Sequence, residues 1–170
     1  MFNKAIIAAA MLSALSFNVA QAADGTINFT GKILASTCDI NGEASDVKIE
    51  VPLGTHLPTE FATTGNKSFN VPFSIDLTEC DDSIKNAQVK FTGTADTNPQ
   101  LIAVTGGAVG VGVGLYEEDG TQIAINTTSA TKPVTAKAAT LKYSANYVAN
   151  GEAVEPGDAN ATADFSIEYP

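Results

Sequence analysis

The sequence predicts an all-β protein, a β-sandwich with Greek-key connections. Short runs of alternating apolar and polar residues recur along the chain, and each run has the length of one strand. Gly, Asp, Asn and Pro punctuate the intervals between these runs, as turns require. No long run has a helical period. Many short strands separated by turn signals are typical of two packed antiparallel sheets.

The predicted strands follow one another at short intervals. In chain order, their apolar rows are Val47, Ile49, Val51 and Leu53; Phe69, Val71, Phe73, Ile75 and Leu77; Val89 and Phe91; Val109, Val111, Val113 and Leu115; Ile123 and Ile125; Leu141, Tyr143, Ala145 and Tyr147; and Phe165, Ile167 and Tyr169. Pro52 and Pro72 favour sheet edges, since proline cannot donate to a ladder. Asp119-Gly120 predicts a hairpin leading into Ile123.

The first 22 residues have the pattern of a secretory signal peptide. Lys4 supplies the positive charge, Ala5–Val19 is apolar, and Ala20-Gln21-Ala22 has the small residues of a cleavage site. This apolar run is too short for a membrane span, and we expect no direct membrane insertion by any later segment. Cleavage of 22 from 170 residues leaves 148, which suits one domain with a sizeable core.

The chain is strongly acidic. Its formal net charge is −10, removal of Lys4 with the leader makes it −11, and the sequence contains no arginine. Such a charge argues against nucleic acid or anionic lipid as a partner and favours solubility.

The sequence offers no convincing catalytic, metal or cofactor site. Cys38 and Cys80 are expected to form a disulfide after export, which leaves no reduced thiol for catalysis and, with His56 alone, no metal set. His56 is predicted to be a surface residue. The acidic turns Asp81-Asp82 and Glu117–Asp119 could bind calcium weakly but are expected to be solvated. Gly110–Gly114 lacks the spacing of a phosphate loop, and small residues on an outer strand face explain it better. We therefore predict that the chain is not an enzyme.

The stretch Asp24–Ile33 leaves two interpretations open. Ile27, Phe29 and Ile33 form one apolar face, and Gly31 interrupts it on the same side. A glycine in a strand marks a bulge or a close approach by another backbone. The stretch is therefore either the first strand of an ordinary sandwich or a strand that lies in a narrow site.

The mature chain resembles the major-type pilin subunits of chaperone–usher fimbriae, such as the type 1 fimbriae of Gram-negative bacteria. The resemblance rests on the joint order of several short motifs. These are Gly25-Thr26-Ile27-Asn28-Phe29-Thr30-Gly31 ahead of Cys38, Val51-Pro52-Leu53-Gly54, the alternation into Cys80, the run Gly110–Gly120, Tyr147-Val148-Ala149, and the ending 161–170 with its Phe165 and penultimate Tyr169.

The resemblance implies an incomplete immunoglobulin-like sandwich that a donor strand from a neighbouring subunit completes. It implies a signal peptide at 1–22, a donor-strand extension at 23–37 with Ile27, Phe29, Gly31 and Ile33 as donor residues, and a pilin domain at 38–170. Phe165, Ile167 and Tyr169 would form the strand that pairs with a periplasmic chaperone.

The same resemblance implies a location and a set of partners. The chain would pass through the periplasm to an outer-membrane usher, polymerise with other pilin subunits and support cell adhesion as part of a surface fimbria. The alternative is a self-complete secreted β-sandwich that binds a ligand or receptor.

Overall fold

The computed structural model describes residues 28, 30, 37–43 and 47–170, and this part of the chain is all-β, as predicted. The strands are β1 (Asp39–Ile40), β2 (Val71–Thr78), β3 (Asn86–Thr92), β4 (Ile102–Ala103), β5 (Val111–Glu117), β6 (Gln122–Ile123), β7 (Lys132–Pro133), β8 (Ala139–Ala149) and β9 (Asp164–Glu168). One 3-10 helix spans Pro58–Phe61. The predicted signal peptide lies outside the described residues.

The described strands form two antiparallel sheets. The larger sheet has the order β1-β2-β8-β5-β4, with β6 also paired to β5, and the smaller sheet has the order β7-β3-β9. Strand β8 lies between β2 and β5, so neighbours in the sheet are distant in sequence, which is the mark of Greek-key connections. The two sheets together make the predicted sandwich.

The core lies between the two sheets and is built from their inward-facing apolar rows. Ile75 and Leu141 of the larger sheet and Val89 of the smaller sheet are completely buried, and they belong to one continuous cluster. Full burial of such a side chain stabilises the fold by about 1.5–3 kcal/mol. The alternation read from the sequence therefore identifies the core faces of β2, β3, β5 and β8 correctly. It fails for Phe69 and Val109, which were predicted to begin the rows of β2 and β5 but precede these strands and are 66% and 40% exposed.

The glycines of β5 have a packing explanation. A Cβ added at Gly112 would lie 2.9 Å from the Leu101 Cβ, and one added at Gly114 would meet the Tyr116 hydroxyl at 2.6 Å. These glycines leave room on the outer face of the strand for the Leu101 and Tyr116 side chains. The predicted hairpin also forms, with Gly120 at φ +85° between β5 and β6.

Two sequence predictions are wrong in this part of the chain. Residues 47–53 form no strand, although their side chains alternate between half-buried and exposed. The acidic turn that begins at Glu117 is not fully solvated, because this residue is only 5% exposed. Glu117 continues the inward-facing row of β5, and its carboxylate accepts a hydrogen bond from the Ala130 N–H at 2.6 Å and pairs with Lys132 at 3.4 Å.

A buried hydroxyl pair lies close to this carboxylate. The Tyr143 hydroxyl is 3.0 Å from the Ser129 Oγ, which also accepts a hydrogen bond from the Val89 N–H. Burial raises the pKa of Tyr143 to about 12, and the Glu117 charge acts in the same direction. The hydroxyl therefore stays protonated and links the two sheets.

The disulfide between Cys38 and Cys80 is present in the structure. Cys38 comes directly before β1, Cys80 follows β2, and these two strands pair through Asp39 with Thr78 and Ile40 with Leu77. Both cysteines are buried, at 4% and 1% exposure. Since the β1–β2 pairing is only two residues long, the disulfide adds a covalent link between the start of the domain and the larger sheet.

Replacing both cysteines with serine should reduce the yield of folded protein sharply when the chain is expressed with export to an oxidising compartment. Loss of a native disulfide costs about 2–5 kcal/mol, which is a large part of the stability of one domain. The exposed neighbours Thr37 and Glu79, each changed to serine, serve as controls. Free thiols on folded, exported wild-type protein, detected by mass spectrometry, would contradict the assignment.

Candidate functional site

The predicted site residues fall into two groups. Ile27, Phe29, Gly31 and Ile33 lie outside the described residues, so their role as donor residues stays a prediction. The residues of the C-terminal strand are described, and with residues 47–53 they define the candidate site. We call residues 47–53 the wall segment.

The wall segment is an extended chain that packs on the core without belonging to a sheet. Its apolar side chains, those of Ile49, Val51 and Leu53, pack against the main core cluster, while Lys48, Glu50 and Pro52 are exposed. No main-chain hydrogen bond joins this segment to another described residue. Apart from the Leu53 carbonyl oxygen, which His56 contacts, its backbone donors and acceptors have no main-chain partner among the described residues and could pair with a further strand.

Strand β9 has the complementary property. One edge pairs with β3, placing Phe165 opposite Phe91 and Ile167 opposite Val89, and the other edge has no strand partner among the described residues. Phe165 and Ile167 face the core and yet are only half-buried, whereas Phe91 and Val89 are buried at 4% and 0% exposure. The core-facing side chains at this edge are therefore still partly exposed to solvent.

The end of the chain is tied to the start of the domain. The Cys38 N–H donates a hydrogen bond to the Tyr169 hydroxyl over 3.3 Å. Burial raises the pKa of Tyr169, partly opposed by this hydrogen bond. Tyr169 also packs on the main core cluster. The contact joins the residue after β9 to the disulfide and so fixes the position of the open edge.

His56 lies just beyond the wall segment, in a setting that the sequence analysis missed. Its side chain is only 7% exposed, so the prediction of a surface residue is wrong. Its Nε2 is 3.0 Å from the Leu53 carbonyl oxygen and its Nδ1 is 3.0 Å from Glu60 Oε2. The rings of Phe61, Phe69 and Tyr147 surround it at centroid distances of 5.9, 5.3 and 5.8 Å.

The hydrogen bonds of His56 determine its protonation. Burial of the ring lowers the pKa of His56, but the hydrogen bonds to Leu53 and Glu60 and the charge of Glu60 outweigh it, so the pKa is raised above the ordinary value of 6.5. The Leu57 N–H and His56 in turn lower the pKa of the Glu60 carboxyl. Only the spacing of four between His56 and Glu60 signals this pair in the sequence.

The arrangement can bind an extended peptide but shows no catalytic constellation. Two half-covered apolar rows on one core, each beside unpaired main-chain groups, suit β-strand addition. Within residues 37–43 and 47–170, no three His, Cys, Asp or Glu side chains are grouped so that they could hold a metal ion. The described part of the chain also contains no helix with the length and apolar character that crossing a bilayer requires.

Comparison with known proteins identifies the family. Residues 27–170 match the family described as fimbrial protein. The chain belongs to the fimbrial protein family. This confirms the resemblance seen in the sequence, and it makes the chain a structural subunit of cell-surface fimbriae.

Relatives align over nearly the whole chain. The long polar fimbria protein A of Salmonella typhimurium is 36% identical and covers 97% of this chain and 94% of its own length. The type-1 fimbrial protein subunit of Serratia marcescens is 37% identical, with 96% of each chain covered.

Solved structures confirm the immunoglobulin-like pilin fold. An antigen and type I fimbria protein of Burkholderia pseudomallei has a TM-score of 0.61 at 33% identity, covering 85% of this chain and 97% of its own. The P pilus rod subunit PapA has a TM-score of 0.65 at 19% identity, covering 79% of this chain and 100% of its own; at that identity it supports the fold alone.

Val51→Ser should destabilise the folded subunit by about 1 kcal/mol, because half of a valine side chain loses its apolar contact. Glu50→Ser, one residue away on the exposed face, should change stability little. Urea midpoints of the exported, folded protein measure both effects. Equal midpoints for the two variants would show that the wall segment does not pack on the core in solution.

Proposed function

We propose that this fimbrial subunit polymerises by donor-strand exchange, in which residues 27–33 of one subunit add as a strand between the wall segment and β9 of the next. The observation that carries the proposal is the pair of unpartnered main-chain edges beside half-buried apolar rows. A strand inserted there would satisfy both edges and complete the core cover. Chaperone–pilin complexes are an established case of such strand addition.

The predicted donor has the chemistry that this site requires. Ile27, Phe29 and Ile33 would face the core, each contributing at most about 1.5–3 kcal/mol. Each main-chain hydrogen bond would add roughly 1 kcal/mol. Gly31 would lie where the site leaves no room for a side chain. The polar Asn28 and Thr30, both exposed in the structure, would face outward.

The domain boundaries follow from the separate roles of the donor segment and the acceptor domain. We place the signal peptide at 1–22, the donor extension at 23–37 and the pilin domain at 38–170. The boundary at Cys38 is supported by the disulfide, because it anchors the chain to the larger sheet directly after the extension. The extension can then project to a neighbour while the domain keeps its fold.

The geometry of the contact explains a fibre. The proposed donor and acceptor residues belong to different segments of the chain, so a contact in which each subunit donates to the next is head-to-tail and does not close on itself. Repetition of such a contact builds a filament whose strength comes from buried side chains and a continuous ladder. This role needs no catalytic residue, in agreement with our inference that the chain is not an enzyme.

Delivery of the subunit requires protection of the open edge. Exposed core surface of this kind favours aggregation in water. We infer that a periplasmic chaperone first pairs with β9, beside Phe165, Ile167 and Tyr169, and delivers the subunit to an outer-membrane usher. The finished fibre would support adhesion of the cell.

Gly31→Asn should block assembly while leaving the subunit folded. The asparagine side chain would enter a dry, closed site, where it would clash with neighbouring atoms. Its unsatisfied amide groups would also weaken binding of the strand by roughly 1–3 kcal/mol. Thr30→Asn places the same side chain on the outward face and is the matched control. Mixing each purified variant–chaperone complex with wild-type acceptor and following heat-resistant multimers on a gel measures the effect.

Two outcomes would contradict the proposal. Undiminished polymerisation by Gly31→Asn would show that residues 27–33 do not bind in the acceptor site. A lower melting temperature of a soluble monomer, with no effect on assembly, would identify the stretch as the first strand of a self-complete sandwich.

A further inference from the structure

His56 is the one histidine of the sequence, and its side chain contacts the wall segment on one side and the 3-10 helix on the other. Its Nε2 contacts the Leu53 carbonyl oxygen at the end of the wall segment, and its Nδ1 contacts the Glu60 carboxylate on the 3-10 helix, both at 3.0 Å. These two contacts determine which protonation state of the ring fits the structure.

Both hydrogen-bond partners of the His56 ring are acceptors, and this determines the protonation state of the ring. A carbonyl oxygen and a carboxylate carry no proton to donate, so both ring nitrogens must carry N–H groups. Neutral imidazole has a single N–H. In either neutral tautomer, therefore, one ring lone pair faces an oxygen lone pair at 3.0 Å. Only the imidazolium satisfies both contacts.

We propose that His56 is a pH-dependent clasp: as imidazolium it fastens the wall segment at Leu53 to the 3-10 helix at Glu60, and on losing its proton it releases one of the two.

The groups packed around His56 favour its charged form. Glu60 is the charged side chain in contact with it among the described residues, and it is itself oriented by the Leu57 N–H, which donates to Oε1 over 2.8 Å. From β8 the neighbour is the ring of Tyr147, whose hydroxyl donates to the Ala159 carbonyl oxygen. Phe61 and Phe69 add aromatic rings at distances where a cation is attracted to a ring.

The direction of the pH effect follows from linkage. A histidine whose folded pKa is raised contributes stability that is fully present below its unfolded pKa, about 6.5. That contribution is lost as the pH rises through the raised folded pKa. The clasp is therefore closed in mildly acidic medium and opens towards alkaline pH.

The clasp affects the part of the subunit that we propose receives the donor strand. The wall segment has no main-chain hydrogen bonds to other described residues, and the His56 side chain bonds its last carbonyl oxygen, that of Leu53. With the clasp closed, the wall is held on the core in the position that a donor strand needs. This consequence for assembly rests on the proposed donor-strand exchange, whereas the clasp itself is a contact within one subunit.

Hydrogen–deuterium exchange of purified fimbriae tests the clasp. Protection of a peptide covering residues 53–60, corrected for intrinsic exchange rates, should fall about tenfold between roughly pH 5.5 and 8.5, because a charge-assisted hydrogen bond is lost. His56→Gln carries its N–H donors on a single nitrogen and cannot replace both ring nitrogens, so it should show low protection at both pH values. Glu60→Gln removes the charge but keeps an acceptor, and should move the transition to lower pH. A peptide from β8 is the internal control.

Constant protection of the wild-type peptide across this range would overturn the clasp, and so would an unchanged pH dependence in His56→Gln. If His56→Gln fails to fold, the position of the transition in Glu60→Gln decides instead, and an unshifted transition counts against the proposal. The two proposals can fail separately. Undiminished polymerisation by Gly31→Asn would contradict donor-strand exchange, but it would not change the pH-dependent protection of residues 53–60, which tests the clasp alone.

Discussion

Main-chain hydrogen bonding along the open edge of β9 is the constraint on which the rest of this structure depends. Buried or half-buried N–H and C=O groups need partners, and an unpaired edge beside a core invites another strand. The wall segment presents a second row of such groups on the same core. The described residues provide no main-chain partner for either row. In the proposed function, a strand from another subunit supplies these partners.

The remaining features keep this unsatisfied surface in a fixed shape. The larger sheet encloses a core of fully buried side chains, and the disulfide fastens the start of the domain to β2. The Tyr169 hydroxyl ties the end of β9 to Cys38, and His56 ties the end of the wall segment to the 3-10 helix. A rigid acceptor loses little conformational entropy when a strand binds, so more of the burial energy remains for the contact.

The sequence predicted the longer strands and missed the two-residue strands β1, β4 and β7; it also predicted a strand at residues 47–53, which have no strand partner among the described residues. Period-two alternation reports which side chains face the core, and for β2, β5 and β8 a neighbouring strand was available. For Val47–Leu53 the alternation was equally clear, but periodicity does not say whether a main-chain partner exists. The burial of Glu117 could have been predicted from its place in the row of β5. The setting of His56 could not, because one of its partners is a carbonyl oxygen brought close by the loop.

Solid-state NMR of fibres assembled from a mixture of ¹³C-labelled and ¹⁵N-labelled subunits can detect donor-strand exchange, because cross-peaks between the two labels arise only between different subunits. Donor-strand exchange predicts such contacts between residues 27–33 of one subunit and both β9 and the wall segment of the next. Fibres that show no contact between these segments across the subunit boundary would contradict it.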